Sequence, residues 1–188
     1  SLDLITFTAF IAKMTSRIGR RISILSASEK GIQPLSFAST NLKKIVTPAS
    51  VTRVGYGAFD DCLNLTDVDF ANNSQLEVVE EWAFRGCKNL TFVNFGNNSK
   101  LTAIEEDAFR GCESWTRATF GANSQLKNIN HAFRYSGIDD ITIPASVTCI
   151  ESYAFDFCSN MKRLYISDLE AWCRLEFESE TCHPLNYS

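Results

Sequence analysis

One phrase recurs five times along this chain: Gly57-Ala58-Phe59-Asp60-Asp61-Cys62, Trp82-Ala83-Phe84-Arg85-Gly86-Cys87, Asp107-Ala108-Phe109-Arg110-Gly111-Cys112, His131-Ala132-Phe133-Arg134-Tyr135-Ser136 and Tyr153-Ala154-Phe155-Asp156-Phe157-Cys158. Its phenylalanines lie 25, 25, 24 and 22 residues apart. A period in this range belongs to short units that cannot bury their apolar face alone and do so by stacking on one another. The chain is therefore read as a repeat solenoid. That constrains the fold strongly and the function weakly, because a solenoid is a scaffold that can display many surfaces.

Aligned on the phenylalanine, the unit reads Leu-x-x-Val-x-Phe, a polar turn, Ser-x-Leu-x-x-Ile, three residues, then Ala-Phe-x-x-Cys-x-Asn. One copy supplies Leu65, Val68, Phe70, Leu76, Val79 and Phe84; the next supplies Leu90, Val93, Phe95, Leu101, Ile104 and Phe109; a third supplies Trp115, Ala118, Phe120, Leu126, Ile129 and Phe133. Apolar and polar residues alternate in Val68-Asp69-Phe70, Val93-Asn94-Phe95, Ile141-Thr142-Ile143 and Leu164-Tyr165-Ile166, the period of half-buried strands. Stacked copies predict a β-rich solenoid with a parallel sheet on one wall and a second short extended segment, such as Leu76 to Val79, on the opposite wall. Phe59, Phe84, Phe109, Phe133 and Phe155 are expected to form an aromatic spine with rungs ~4.8 Å apart.

Two turn chemistries link the walls. Asn72-Asn73-Ser74, Asn97-Asn98-Ser99 and Ala122-Asn123-Ser124 tolerate left-handed backbone, whereas Pro48-Ala49-Ser50 and Pro144-Ala145-Ser146 set the chain direction where a strand ends. A column of Asn41, Asn64, Asn89, Ser114, Gly137 and Asn160 precedes the strands and is expected to be a buried ladder bonding the next loop. Residues 1–36 read as divergent N-terminal repeats or a cap, with Ile22, Ile24 and Ile32 near the expected slots, Ala9-Phe10 as an earlier copy and Arg17, Arg20 and Arg21 as a solvated end face. Residues 37–166 are the repeats, and 167–188 a C-terminal cap opening on a short helix with Ser167 as its cap.

A hydrophobic content of 45% in 188 residues suits one folded domain, and a formal net charge of −4 argues against a dedicated nucleic-acid binder, whose affinity needs a basic face. The most apolar early stretch, Leu2 to Met14, is interrupted by polar residues and falls short of the ~20 a membrane helix requires. Four of the seven cysteines, Cys62, Cys87, Cys112 and Cys158, stand three residues after a repeat phenylalanine. Their spacing is that of the repeat and lacks the close pairs of a zinc site, so they are read as a column of small buried thiols. Cys173 and Cys182 lie outside the repeats, and nothing in the spacing assigns them a bridge. With two histidines, no Ser-His-Asp order and no phosphate-binding glycine loop, no catalytic site, metal or cofactor is expected.

Ile143-Pro144-Ala145-Ser146-Val147-Thr148-Cys149-Ile150, followed by Tyr153-Ala154-Phe155-Asp156-Phe157-Cys158-Ser159-Asn160-Met161, resembles the BspA-like class of leucine-rich repeats. The likeness is strong over about residues 40–166, and the tail from Ile166 to Cys173 resembles a segment found after such repeats in gut-bacterial surface proteins. The resemblance implies a leucine-rich-repeat fold with little helix apart from a C-terminal cap, a secreted or cell-surface setting, and a role in adhesion or protein recognition. Its partner would then be a protein, such as a host extracellular-matrix or cell-surface protein.

On the strand wall the residues expected to face away from the core are Lys44 and Val46, Asp67 and Asp69, Phe92 and Asn94, Arg117 and Thr119, Asp140 and Thr142, and Arg163 and Tyr165. Mixed charge with two exposed aromatics is the composition of a protein-binding face. A second cluster, Glu80, Glu81, Glu105, Glu106 and Asp107, reads as a solvated acidic face able to attract a cation or a basic partner. Two alternatives to recognition stay open: a structural spacer that displays other modules, and a carbohydrate-binding module, for which the sequence presents no cluster of stacking aromatics.

Overall fold

The computed structural model describes residues 23–24 and 30–177. Ala9-Phe10, the Arg17 to Arg21 end face, Cys182 and the tail beyond Phe177 lie outside the described residues. Alternation of apolar and polar side chains places two strands in each coil, and these build two walls. One wall holds β1 (Ser23–Ile24), β3 (Lys44–Thr47), β5 (Asp67–Phe70), β7 (Phe92–Asn94), β9 (Arg117–Ala118), β11 (Asp140–Ile143) and β13 (Arg163–Ile166). The other holds the shorter β2 (Gly31–Ile32), β4 (Arg53–Val54), β6 (Val78–Val79), β8 (Ala103–Ile104), β10 (Asn128–Ile129), β12 (Cys149–Ile150) and β14 (Glu176–Phe177). Every pairing is parallel and in repeat register, as in Lys44 opposite Asp67 and Asp67 opposite Phe92. The chain thus adopts the expected parallel-strand solenoid, with one short helix, α1 (Leu169–Cys173), among the described residues.

The wall of short strands is one continuous seven-stranded sheet, whereas the wall of longer strands is divided into β1-β3-β5-β7 and β9-β11-β13. The division falls where Trp115 occupies the slot that Leu65 and Leu90 fill in earlier coils. Its indole is fully buried against Phe95, Phe109 and Phe133. A ring of that size in a leucine slot forces the following strand off its neighbour, and β9 is only two residues long.

The core is the predicted spine, extended by one further ring, Phe37. Phe37, Phe59, Phe84, Phe109, Phe133 and Phe155 stack with centroid separations of 5.2, 5.0, 5.1, 6.0 and 5.5 Å, wider than the strand spacing because the rings are offset. A second column, Phe70, Phe95 and Phe120, stacks beneath the strand turn at 5.9 and 5.0 Å.

The Ala-Phe segment forms a third hydrogen-bonded wall. Phe59 N–H donates to the Ala83 carbonyl at 2.8 Å, Gly57 to Glu81 at 3.0 Å and Asp61 to Arg85 at 2.8 Å, and the same bonds recur coil after coil. Pointing every second N–H at the next coil requires left-handed backbone two residues before and two after the phenylalanine. Those columns have φ of +53, +54, +59, +53, +46 and +60° (Leu35, Gly57, Trp82, Asp107, His131, Tyr153), and +54, +53, +69, +71, +56 and +57° (Ser39, Asp61, Gly86, Gly111, Tyr135, Phe157). The phenylalanine carbonyls point inward and find donors in the thiol column. Cys62 Sγ donates to Phe37 O at 3.0 Å, Cys87 to Phe59 O at 3.1 Å, Cys112 to Phe84 O at 3.3 Å and Cys158 to Phe133 O at 3.0 Å. Burial pushes these thiols above their ordinary pKa, which keeps them protonated as donors.

Two expectations are corrected. Asn41, Asn64, Asn89 and Asn160 are exposed, so the ladder they begin (Asn64 Nδ2 to Asn41 Oδ1, 3.0 Å; Asn89 Nδ2 to Leu63 O, 2.8 Å) runs over the surface. A longer ladder lies in the polar turn, where Asn98 Nδ2 donates to Asn73 Oδ1 at 3.1 Å and Asn123 Nδ2 to Asn98 Oδ1 at 2.7 Å. At the C-terminal end the helix cap is Asp168, whose Oδ1 accepts from Ala171 N at 2.9 Å. Ser167 instead donates its N–H and hydroxyl to Ile143 O, extending the sheet by one rung.

Candidate functional site

The outward face of the strand wall falls into two patches because the sheet is divided. In the first, register sets Lys44, Asp67 and Phe92 in one row and Val46, Asp69 and Asn94 in the next. Asp69 is held in place by Asn94, whose Nδ2 donates to its Oδ1 at 2.8 Å, and Thr66 Oγ1 donates to Asp67 Oδ2 at 2.7 Å. Phe92 is 50% exposed. The second patch carries Arg117, Asp140 and Arg163 in one row and Thr142 and Tyr165 in another. Tyr165 is 47% exposed, and Thr119 is exposed at the division between the patches.

Asp140 departs from the expected exposure: it is 2% exposed. Arg163 grips it through Nε and Nη2 at 2.5 and 3.0 Å, and Arg117 Nη2 closes the other side at 2.9 Å. The two guanidinium groups, Arg163 foremost, hold the Asp140 carboxyl below its ordinary value of 3.8. A carboxylate with a depressed folded pKa stabilises the fold above its unfolded value and loses that contribution as pH falls through the folded one. In Asp140→Asn, where the arginines face a neutral amide, the stability deficit relative to wild type is expected to be constant from neutral pH to about 5 and to shrink below about 4. Urea midpoints measured across that range check it, and a deficit undiminished in strong acid would show that the ion triad is not its origin.

The acidic cluster does not pool its charge. Glu80 accepts from Tyr56 N at 2.8 Å and pairs with Arg53 at 3.4 Å, Glu105 accepts from Asn130 at 3.1 Å, and Glu106 faces His131 at 3.5 Å. Asp107 is buried between Arg110 at 3.0 Å and Arg134 at 3.7 Å. Among the described residues no group of three or more His, Cys, Asp or Glu is placed to hold a metal ion, and no helix is long and apolar enough to cross a membrane.

A scan of family models matches residues 30–162 with six copies of the BspA type leucine-rich repeat region. The chain belongs to the BspA-type leucine-rich repeat family. Among curated proteins no significant match is found. Among solved structures, a leucine-rich repeat protein of T. pallidum superposes with a TM-score of 0.70 at 22% identity, covering 86% of this chain and 76% of that one. A leucine-rich cell surface protein of Faecalibacterium prausnitzii gives 0.59 at 27% identity, covering 85% of this chain and 36% of its own. The pneumococcal vaccine antigen PcpA gives 0.58 at 20% identity, covering 85% and 37%. This chain therefore spans little more than a third of the latter two proteins.

Within these BspA-type units the inward columns repeat closely, whereas the outward ones vary apart from the asparagine columns. The turn edge shows this most clearly, and sequence reasoning missed it. In the column two residues after the phenylalanine, Gly86 and Gly111 occupy left-handed backbone at little cost, but the last two copies place Tyr135 and Phe157 there. Their rings stack at 4.5 Å and 9°, with Phe157 55% exposed, and Tyr153 stands exposed beside them against His131. Arg110 and Arg134 lie over the Tyr135 ring at 5.3 and 5.9 Å. The signal was legible as a glycine position replaced by aromatics, but its meaning depended on the unseen left-handed conformation.

Proposed function

We propose that this chain is a non-catalytic recognition segment of a secreted or cell-surface protein, and that it binds a protein partner through the outward face of the strand wall. The observation that carries the reading is the pair of exposed aromatics, Phe92 and Tyr165, one on each patch of a rigid sheet whose neighbouring side chains are tied by hydrogen bonds and ion pairs. Preorganised aromatics cost little conformational entropy on binding, and such residues dominate interface energies. The extracellular setting is supported by the surface protein of F. prausnitzii that the chain resembles. The Tyr135, Tyr153 and Phe157 edge favours a second contact surface, since left-handed backbone is a costly place to keep bulky rings that serve only packing.

Immobilised extracellular-matrix proteins, probed with the purified chain at low and high salt, test the reading. Charge reversal at Arg117 is a poor variant, because it would set a carboxylate against buried Asp140; Phe92→Ala and Tyr165→Ala leave the ion triad intact. Saturable binding weakened at least about tenfold in either variant, with unchanged thermal unfolding, is the expected result. Binding lost only in Tyr135→Gly or Phe157→Gly would move the interface to the turn edge, and uniform silence would favour the spacer.

A further inference from the structure

A cleft of about 300 Å³ opens where the two turn chemistries meet. β9 and β11 pair only through Arg117 with Asp140 and Ala118 with Ile141, after which the chains diverge. In earlier coils the polar turns stay bonded, Asn73 N to Asn97 O and Asn98 N to Ala122 O, both at 2.8 Å. Among the described residues no corresponding bond joins Asn123 to the Pro144 turn. The asparagine ladder thus ends at Asn123, and the space above its last rung is the cleft.

The floor is aromatic. Phe120 occupies the slot in which Phe70 and Phe95 are fully buried, yet it is only partly buried. One face rests on Phe95 at 5.0 Å, and the next residue in the column is the smaller Ile143, so the ring helps line the opening. Around it stand the carboxamide of Asn123 and the hydroxyls of Ser124, Thr142, Ser146 and Ser167, with glycine, alanine and proline completing the lining. Asn123 turns its Nδ2 to Asn98 Oδ1 at 2.7 Å, and the Ser146 hydroxyl is buried with no partner among the described residues. No ionisable side chain lines the cleft.

From this combination we infer that the cleft is a binding subsite for a neutral sugar ring. An uncharged, hydroxyl-rich lining gives an anion or a cation no counter-charge. An aromatic floor meets the C–H face of a pyranose, whose axial hydrogens are attracted to the ring's negative face while its hydroxyls reach the polar rim. The volume lies at the lower end of small-molecule sites, as for one or two rings. The cleft lies away from Phe92 and borders the second patch through Thr142, whose register partner is Tyr165; a sugar ligand and the Phe92 variant separate its test from that of the protein-recognition reading.

The test is titration of the ¹⁵N-labelled chain with lactose, maltose and diacetylchitobiose, with sialic acid, glucosamine and a Tyr-containing dipeptide as contrasts. Saturable amide shifts confined to Gly121–Ser124 and Thr142–Ser146 with at least one neutral sugar are expected. They should weaken about tenfold in Phe120→Leu and in Asn123→Ala, and be unchanged in Phe92→Ala. Asn123 is exposed, so its variant keeps the test valid should Phe120→Leu fail to fold. The inference is overturned if no neutral sugar shifts these amides, if the shifts survive both variants, or if the charged sugars or the dipeptide bind equally well.

Discussion

Phe109→Ala is expected to lower the stability of the solenoid by about 3–5 kcal/mol, as large-to-small changes of fully buried aromatics do. The ring is enclosed on every side: Phe84 and Phe133 cover its faces at 5.1 and 6.0 Å, Trp115 leans on it at 4.7 Å, and Phe95 meets it edge to face at 6.1 Å. These neighbours are pinned by backbone bonds on the short-strand wall and the Ala-Phe wall, so the hole collapses little and the cost stays within that range. Position along the array matters as well. Each coil touches only its neighbours, so a weakened middle coil uncouples the two halves and broadens the transition. Guanidinium unfolding should report a lower midpoint and a shallower slope, and near wild-type stability in this variant would contradict the stacked-spine account of the core.

Gly137→Ala is the second large effect, with an expected loss at or above the ~1–3 kcal/mol typical of overpacking. Four other coils place two residues between the column of Cys62 and Cys158 and the strand-leading apolar residue, as in Glu113-Ser114 before Trp115; here Gly137 alone joins Ser136 to Ile138. The shortened chain cuts the corner so closely that an added Cβ would sit 1.9 Å from the Glu113 carbonyl oxygen and 2.8 Å from its carbon. Both are backbone atoms, and the flanking Cys112 O and Ser114 N are bonded to neighbouring coils at 3.2 Å each, which leaves the peptide little room to swing aside. Gly111→Ala provides the contrast. Its added Cβ meets nothing nearer than 3.8 Å, and only its φ of +71° opposes a side chain, so it should cost about 1–2 kcal/mol. If urea midpoints ranked the two variants equally, backbone contact at Gly137 would not be what holds these coils at their spacing.

Much of this architecture follows from a one-dimensional pattern. A residue's place within the repeat decides whether it points inward, so Val68, Phe70, Leu76 and Phe84 could be assigned to the core, and Phe92 and Tyr165 to the surface, from periodicity alone. The thiol column was legible for the same reason, since Cys62, Cys87, Cys112 and Cys158 share one phase. What periodicity does not carry is the lateral relation between coils, which is set by register across 22–25 residues and by small differences between copies. Asp140 reads as an outward residue, and so it is. Only the stacking of Arg117 on one side and Arg163 on the other buries it. Trp115 reads as one more apolar slot, but its bulk divides the strand wall. The asparagine and proline turns read as equivalent connections, yet where the Asn123 turn meets the Pro144 turn the chains part and the cleft opens over Phe120. Tyr135 and Phe157 read as repeat variation until the left-handed backbone of the third wall turns them toward solvent. The sequence by itself therefore determined the coil, its core and the side each residue faces. The tertiary structure decided which neighbours those residues meet, because charge pairing, ring stacking and clefts arise between copies that are alike in pattern and unequal in detail.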